Sequence, residues 1–371
     1  MPENAEILDQ LILETLQKDF DPSVPDGVRD QNFNSLALRL FTFQFSNNLP
    51  YRRYCENIGV RKNSQVKHWT QIPFLGASSF KEMILTTFPH RKAALVFHTS
   101  GTSRKKPGRL FLENSRLYEA ALLKNFLHHF SISRPMEMII LTPSIEECPY
   151  SSLSYMASHL HKKIGKGRLV HYLKQNRILF PPLFKRLRKL SSSWEPVLIF
   201  GTAFSLVYLL DEMRIKKIKL KCAPGSLLME TGGFKGLSEE IPKDELYGRI
   251  HQFLGIAPSS IINEYGMTEM ASQFYDHSIK KPSSAAQRCH RAPPWVRTRV
   301  LDPRNLDECP VGKIGLLQHY DLANRSNVMG ILTEDIAMRK RDGFQLIGRV
   351  QSQETRGCSI AFEEWIQKNE N

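Results

Sequence analysis

The sequence predicts an α/β fold, and three observations carry that prediction. Short apolar runs ending in glycine or in a Pro/Ser loop recur along the chain, helical patterns lie between them, and from about residue 311 the texture changes to alternating strands. A strand, a loop and a helix repeated in that order gather loops at strand ends, where ligands of such folds sit.

The elements follow in chain order. MPENAEILDQLILETLQKDF spaces Ile7, Leu8, Leu11, Ile12 and Leu16 as one face of an amphipathic helix, while Glu3, Glu6 and Asp9 stand where an export signal would be basic. Leu117, Ala120, Leu123, Leu127 and Phe130 share one helical face and predict a helix buried along it. MEMIILTPS (136–144) predicts a strand, and PVLIFGTA (196–203) predicts another that leads into the helical AFSLVYLLDEM. GSLLMETGG (225–233) and SSIINEYGM (259–267) each run from apolar residues into glycine, with the helical KDELYGRIHQFLG (243–255) between them. IKKPSSAAQRCHRAPP (279–294) is Pro/Ser-rich and predicts a loop. GKIGLLQHYDL and TEDIAMRKRDGFQLIG predict antiparallel strands, the second turning at Asp342-Gly343.

Composition excludes several classes. The 371 residues are 41% hydrophobic and 24% charged, as in globular and not disordered proteins, and no apolar stretch is long enough to span a bilayer, so cytoplasmic residence is the default. The net charge of +14 concentrates in KRLRKL (185–190) and RIKKIKLK (214–221), both interleaved with apolar residues, and no nucleic-acid-binding motif accompanies it. A solvated basic face follows, and nucleic acid is not an expected partner. Cys55, Cys148, Cys222, Cys289, Cys309 and Cys358 form no CxxC pair, so neither a disulfide framework nor a zinc site is indicated.

Chemistry concentrates in four segments. FHTSGTSRKKPGRL, from residue 97, crowds Thr99, Ser100, Gly101, Thr102 and Ser103 before Arg104, Lys105 and Lys106, between an apolar run and a helical pattern. Amides and hydroxyls around a glycine, followed by cations, suit phosphate, although a polar surface turn has the same composition. METGGFKG (229–236) places Gly232 and Gly233 where a flat ligand can lie on the backbone. NEYGMTE (263–269) follows a strand with an aromatic, a glycine, a hydroxyl and a carboxylate, and TED (333–335) precedes GR at 348–349.

These segments, in this order, resemble the adenylate-forming enzymes, the superfamily of acyl-CoA synthetases, luciferases and adenylation domains. The short C-terminal arrangement is most similar to the acyl-protein synthetase branch, the LuxE type that activates fatty acids in bacterial bioluminescence. The resemblance runs from about residue 20 to the end and is sharpest over 97–108, 259–276 and 330–360. It implies a large core of layered α/β sheets with a small β subdomain over residues 1–348, and a much reduced C-terminal lid over 349–371.

The resemblance also implies roles, with ATP and Mg2+ as cofactors. Thr99, Ser100, Gly101, Thr102 and Ser103 would hold the β- and γ-phosphates, with Lys106 as counter-charge and Thr102 and Glu269 toward the metal. Tyr265 would stack on adenine, Gly232 and Gly233 would line its edge, and Glu264, Gly266 and Met267 complete that segment. Thr268 would bond the α-phosphate, Asp335 the ribose hydroxyls, and Arg349 would sit near the nucleotide. His98, Tyr150 and Ser151 are lesser candidates beside the substrate. Singly, each has an ordinary use: Glu269 as an acid at a helix N-terminus, Tyr265 as core, Asp335 as a turn residue. The functional reading requires 100–103, 265–269 and 335 to converge on one nucleoside triphosphate.

The chain departs from the superfamily pattern in two places. Arg104 replaces a second glycine, and Lys105 and Lys106 precede Pro107 where the usual lysine follows proline. The tail holds TRGCSIAFEEW, and in the acyl-protein synthetase branch a cysteine there, here Cys358, accepts the acyl group. Arg356 would favour its thiolate and Gly357 would let it swing, whereas outside that family Cys358 reads as a small buried residue beside Ile360 and Phe362. The expected substrate is a carboxylic acid, most readily a fatty acid, and the expected partner is an acyl reductase or another acyl acceptor. Two alternatives stay open: a ligase delivering to coenzyme A or a carrier-protein thiol, and a non-catalytic nucleotide-binding protein of the same fold.

Overall fold

The computed structural model describes residues 4–18, 25–99, 106–232, 241–276, 279 and 288–350. Helices α1 (Ala5–Lys18), α2 (Asp26–Asn47) and α3 (Leu49–Asn57) come first, then β1 (Leu75–Gly76) and α4 (Ser79–Glu82). A hairpin of β2 (Leu95–His98) and β3 (Arg109–Leu112) precedes α5 (Arg116–Phe130). Next come β4 (Glu137–Leu141), α6 (Ser152–Ile164), β5 (Leu173–Lys174), β6 (Arg177–Ile178), α7 (Phe180–Ser193), β7 (Val197–Thr202) and α8 (Ala203–Ile215). They are followed by β8 (Leu227–Thr231), α9 (Lys243–Leu254), β9 (Ile261–Tyr265) and β10 (Phe274–Tyr275), and finally β11 (Val296–Leu301), β12 (Ile314–Asp321), β13 (Gly330–Lys340) and β14 (Gly343–Arg349). Two compact units result, one of residues 1–124, 267–273 and 289–371, the other of 125–266 and 274–288. No described helix is long and apolar enough to cross a membrane.

The second unit is the α/β layer that the sequence predicts. Its sheet runs β10-β9-β8-β7-β4, with β4, β7, β8 and β9 parallel and β10 antiparallel at the edge. The parallel strands are apolar on both faces because both are covered. Ile139, Leu141, Val197, Ile199, Leu228 and Ile261 form one buried cluster with α7, α8 and α9. Gly201 keeps β7 close to its neighbours, since a Cβ there would lie 2.9 Å from Ser205 Oγ and 3.2 Å from Leu141 Cβ. Thr202 then caps α8, its hydroxyl accepting from the Ser205 amide at 3.1 Å. The basic run 185–190 is a solvated helix face: Leu183, Phe184, Leu187 and Leu190 of α7 are buried, and Lys185, Arg188 and Lys189 are exposed.

The first unit carries the antiparallel texture. Its sheet runs β1-β13-β12-β11, and β14 pairs with the second half of β13 while β1 lies parallel to the first half. The expected hairpin is present but turns one residue earlier, at Arg341-Asp342, because Gly343 already pairs with Lys340, and at Gly343 a Cβ would sit 2.1 Å from the His290 carbonyl oxygen. Two further expectations need correction. The loop after residue 98 does not lead from strand to helix but lies within the β2–β3 hairpin, because Thr99 N–H donates to the Gly108 carbonyl at 2.9 Å and extends the ladder. In α5 the buried face is rotated: Ala120, Leu123 and Leu127 are half-buried, and the buried set is Leu117, Tyr118, Ala121, Leu122, Asn125, Phe126, His129 and Phe130. Buried Asn125 and His129 lie on a face that a count of apolar residues assigns to water.

Between β12 and β13 the chain passes through a wholly buried loop, residues 321–330. Its polar groups are satisfied by neighbours, as burial demands. Asp321 accepts from the Ala271 amide (3.1 Å), the Ser272 hydroxyl (2.9 Å) and the Ala323 amide (2.9 Å). Asn324 donates to the carbonyls of Glu269 and Val328, each at 2.9 Å, and Asn327 donates to the Phe111 carbonyl at 2.8 Å. Arg325, 2% exposed, pairs with Asp9 of α1 at 2.7 Å and with Glu113 at 2.6 Å. Asp9, read from sequence as one of the acids of a surface helix, is thus a buried ion-pair partner.

Two predictions follow. Asp9→Ala leaves the buried Arg325 with only the more exposed Glu113 as an acidic partner and lowers unfolding free energy in denaturant titration by about 3 kcal/mol, whereas Asp30→Ala, whose carboxylate pairs with Arg297 while 68% exposed, costs under ~1 kcal/mol. Glu230 and Glu264, in the second unit, are pushed by burial from 4.5 to about 7, a shift that Lys243 and Asn263 for Glu230, and Thr231 for Glu264, partly oppose. A carboxyl with a raised folded pKa contributes stability that is complete below about 4.5 and lost as pH rises through about 7. The thermal unfolding midpoint of the protein is therefore higher at pH 6 than at pH 8, and Glu230→Gln narrows that difference.

Candidate functional site

The β2–β3 hairpin, the turn after β9 and the β13–β14 pair bring several predicted residues together within the first unit. Gly108 marks the point of approach. A Cβ built on it would lie 3.0 Å from Thr99 Cγ2, 3.5 Å from Glu269 Oε1 and 3.5 Å from Lys81 Cγ. Thr99 is fixed there by its hydroxyl, which accepts from the Gly108 amide at 2.9 Å. Thr268 donates its hydroxyl to the His98 carbonyl at 3.4 Å, joining the turn to the root of the hairpin.

Glu269 is 4% exposed and stands in a turn with no helix beginning at it, so helix-dipole stabilisation does not account for an acid there. Burial pushes its carboxyl up to about 7. Its own backbone amide, Arg349 and Lys81 pull the value down, and Asp335 pushes it up. Asp335 lies within β13, 9% exposed, directly across the ladder from Arg349. Arg349 approaches Asp335 Oδ1 at 3.7 Å and Glu334 Oε2 at 3.4 Å, with more than half of its side chain exposed. Thr99, Thr268, Glu269, Asp335 and Arg349 therefore share one electrostatic neighbourhood.

The second unit places another group of predicted residues at the C-terminal ends of its parallel strands. Gly232 follows β8 in the left-handed region at φ +71°, with nothing within 4 Å of its would-be Cβ. Tyr265 ends β9, half-buried, its ring 5.6 Å from that of Phe274. Glu264 is turned inward, where its carboxylate accepts from the Thr231 hydroxyl across the ladder, so only its backbone is available to a ligand. Gly266 is exposed and Met267 half-buried.

Other predicted residues sort plainly. Lys106 is described and exposed, whereas Ser100, Gly101, Thr102, Ser103, Gly233 and Cys358 lie outside the described residues. His98 is half-buried, its pKa lowered by burial and by Arg109. Ser151 caps α6, accepting from the Ser154 amide at 3.2 Å, a sufficient structural use, and Tyr150 is exposed. Sequence reasoning missed Lys81. SSFKEM (78–83) carries no motif signal, and only the pairing of β1 with β13 places it beside Glu269. It missed Asp321 and Asn324 as well, whose hydrogen bonds fix the backbone of the Glu269 turn.

A divalent metal fits this arrangement in one way. Among the described residues no group of three or more His, Cys, Asp or Glu side chains could hold a metal ion. Mg2+, however, commonly binds through one or two carboxylates and completes its shell with phosphate and water. A nearly buried carboxylate whose ionised form is disfavoured until a cation arrives matches that mode, and Glu269 is that carboxylate.

A family model described as Acyl-protein synthetase, LuxE, matches residues 4–367. The chain is 22% identical over 338 residues to the long-chain-fatty-acid–luciferin-component ligase of Vibrio harveyi, covering 87% of this chain and 85% of that protein. It is 24% identical over 378 residues to the ligase of the same name from Aliivibrio fischeri, covering 98% and 95%. Among solved structures it resembles an open conformation of 2-hydroxyisobutyryl-CoA ligase in complex with 2-HIB-AMP and CoA, with a TM-score of 0.64, 16% identity, and coverage of 90% of this chain and 72% of that one. At that identity the likeness is one of fold, and it agrees with the adenylate-forming α/β architecture. The family model spans nearly the whole sequence, and the chain belongs to the LuxE acyl-protein synthetase family.

Proposed function

We propose that this protein activates a long-chain fatty acid with ATP as acyl-AMP, takes the acyl group onto Cys358 as a thioester, and delivers it to an acceptor protein such as an acyl reductase. The observation that carries the adenylation step is the approach of Thr99 and Glu269 at Gly108, with the paired Asp335 and Arg349 near enough to act on the Glu269 carboxyl, all in one unit. The polypeptide's task in such a reaction is positioning and charge stabilisation.

In this reading Tyr265 and the backbone of 264–267, with Gly232 and Gly233, receive adenine. Asp335 accepts from the ribose hydroxyls, and Thr268 donates to the α-phosphate. The hairpin loop from Thr99 through Ser103, with Lys106, holds the outer phosphates. Glu269, with Thr102, would hold Mg2+, whose charge offsets that of the phosphates when bound. The fatty carboxylate attacks the α-phosphorus in line and pyrophosphate leaves.

The thiols support the choice of acceptor. Burial pushes Cys55 up to about 12 and Cys222 up to about 11, and raises Cys148 and Cys309, while Cys289 is buried. A thiolate is the competent nucleophile, so buried, proton-holding cysteines serve poorly. Cys358, in the 349–371 tail beside Arg356, is the candidate that family likeness singles out.

Two outcomes are expected. Incubation with ATP, Mg2+ and radiolabelled fatty acid leaves label on the denatured protein, and Cys358→Ser abolishes it while leaving ATP–pyrophosphate exchange intact. Label found only on added coenzyme A or carrier protein would support delivery to a free thiol instead. Glu269→Gln lowers fatty-acid-dependent ATP–pyrophosphate exchange by about 100-fold or more, the scale expected for removing one electrostatic group from a reacting centre. An unchanged rate would remove Glu269 from the site.

A further inference from the structure

We infer that Lys81 is a second phosphate-facing cation of the adenylation step, beside Lys106, a role no sequence motif assigns. The inference rests on the adenylation reading above and adds to it a residue from a different part of the chain.

Lys81 reaches this place through backbone anchors, not by chance of a long side chain. β1 lies parallel to β13 at Leu75–Ile331 and Gly76–Leu332, and the Ala77 amide continues the ladder by donating to the Leu332 carbonyl at 2.9 Å. Phe80, fully buried, fixes α4. Lys81 thus follows a strand bonded to the same element that bears Asp335, three residues further on. Its Cγ lies 3.5 Å from the point over Gly108 that is also 3.5 Å from Glu269 Oε1. Lys81 as a whole is half-buried, and a lysine so placed packs its stem and keeps its ammonium toward polar surroundings. Its charge already acts on Glu269 in the free protein, as does that of Arg349.

The reaction gives that charge a use. One oxygen of the fatty carboxylate forms a bond to the α-phosphorus as the bond from that phosphorus to the oxygen shared with the β-phosphate breaks. The electron pair leaves on pyrophosphate, and no proton moves. Negative charge grows on the leaving oxygen and on the non-bridging α-oxygens, and a fixed ammonium beside them lowers the barrier more than it tightens ground-state binding. Gly108, lacking a side chain, lets the hairpin come close to Thr99, Glu269 and Lys81, since a Cβ there would already meet all three within 3.0–3.5 Å.

Fatty-acid-dependent ATP–pyrophosphate exchange on the full chain tests this with Lys81→Met, Lys81→Arg and the exposed control Lys92→Met. Lys81→Met is expected to lower kcat about 100-fold while KM for MgATP changes less than about tenfold. Lys81→Arg should recover at least tenfold of that loss, and Lys92→Met should match wild type, with all variants melting together. Exchange by Lys81→Met within about threefold of wild type would overturn the inference. So would an Arg variant no better than Met in an intact fold. Absence of exchange in the wild-type protein with every acid tried would count instead against the adenylation reading itself.

Discussion

The first unit depends on burying a polar loop. Residues 321–330 are fully enclosed, and a buried amide, carboxylate or guanidinium without a partner is expensive enough to unfold the region. The loop meets that demand by bonding in several directions at once. Asp321 grips Ala271 and Ser272, Asn324 holds the Glu269 carbonyl, Asn327 ties the β3 strand through Phe111, and Arg325 closes on Asp9 and Glu113. Ser272 in turn accepts from the Trp295 indole at 3.0 Å. Each bond is modest alone, but together they leave the turn bearing Thr268 and Glu269 little freedom. Catalysis by fixed charge needs groups held in place before the reaction begins, and this loop supplies that rigidity.

Burial also explains the character of Glu269. A carboxylate drawn into a low-dielectric region holds its proton more tightly, and Lys81 and Arg349 only partly oppose that tendency. The free site therefore favours ligands that bring a cation to the carboxylate and anionic phosphates to the basic side chains. In the proposed reading, Mg2+ with ATP would satisfy both requirements at once. The same physics counts against the described cysteines as acyl acceptors. Burial makes four of those reluctant to ionise and encloses Cys289, whereas acyl acceptance needs a thiolate.

Sequence reading succeeded where a local pattern determines structure. The strands 137–141, 197–202, 227–231 and 261–265 and the helices α8 and α9 were visible because parallel strands buried on both faces are continuously apolar, and because amphipathic helices repeat every 3.6 residues. The β13–β14 hairpin was visible for a similar reason. The reading failed where partners are distant. Asp9 looks like a surface acid until Arg325, far along the chain, closes on it. The rotated face of α5 follows from Asn125 and His129 being buried. The β2–β3 hairpin is extended by Thr99 meeting Gly108, and Lys81 comes near Glu269 through the pairing of β1 with β13. Thr268 and Glu269 follow β9, Asp335 lies within β13 and Arg349 ends β14, so motif order was enough to expect Glu269, Asp335 and Arg349 near one another, while their roles belong to the proposal.

Adenylation on this protein joins a fatty carboxylate oxygen to the α-phosphorus of ATP. Isotope transfer reads that bond directly. With fatty acid carrying 18O in both carboxylate oxygens, and hydroxylamine as trap for the activated acyl group, the AMP recovered should contain one 18O and the pyrophosphate none. Label in pyrophosphate or inorganic phosphate, or AMP free of label while hydroxamate accumulates, would contradict the account.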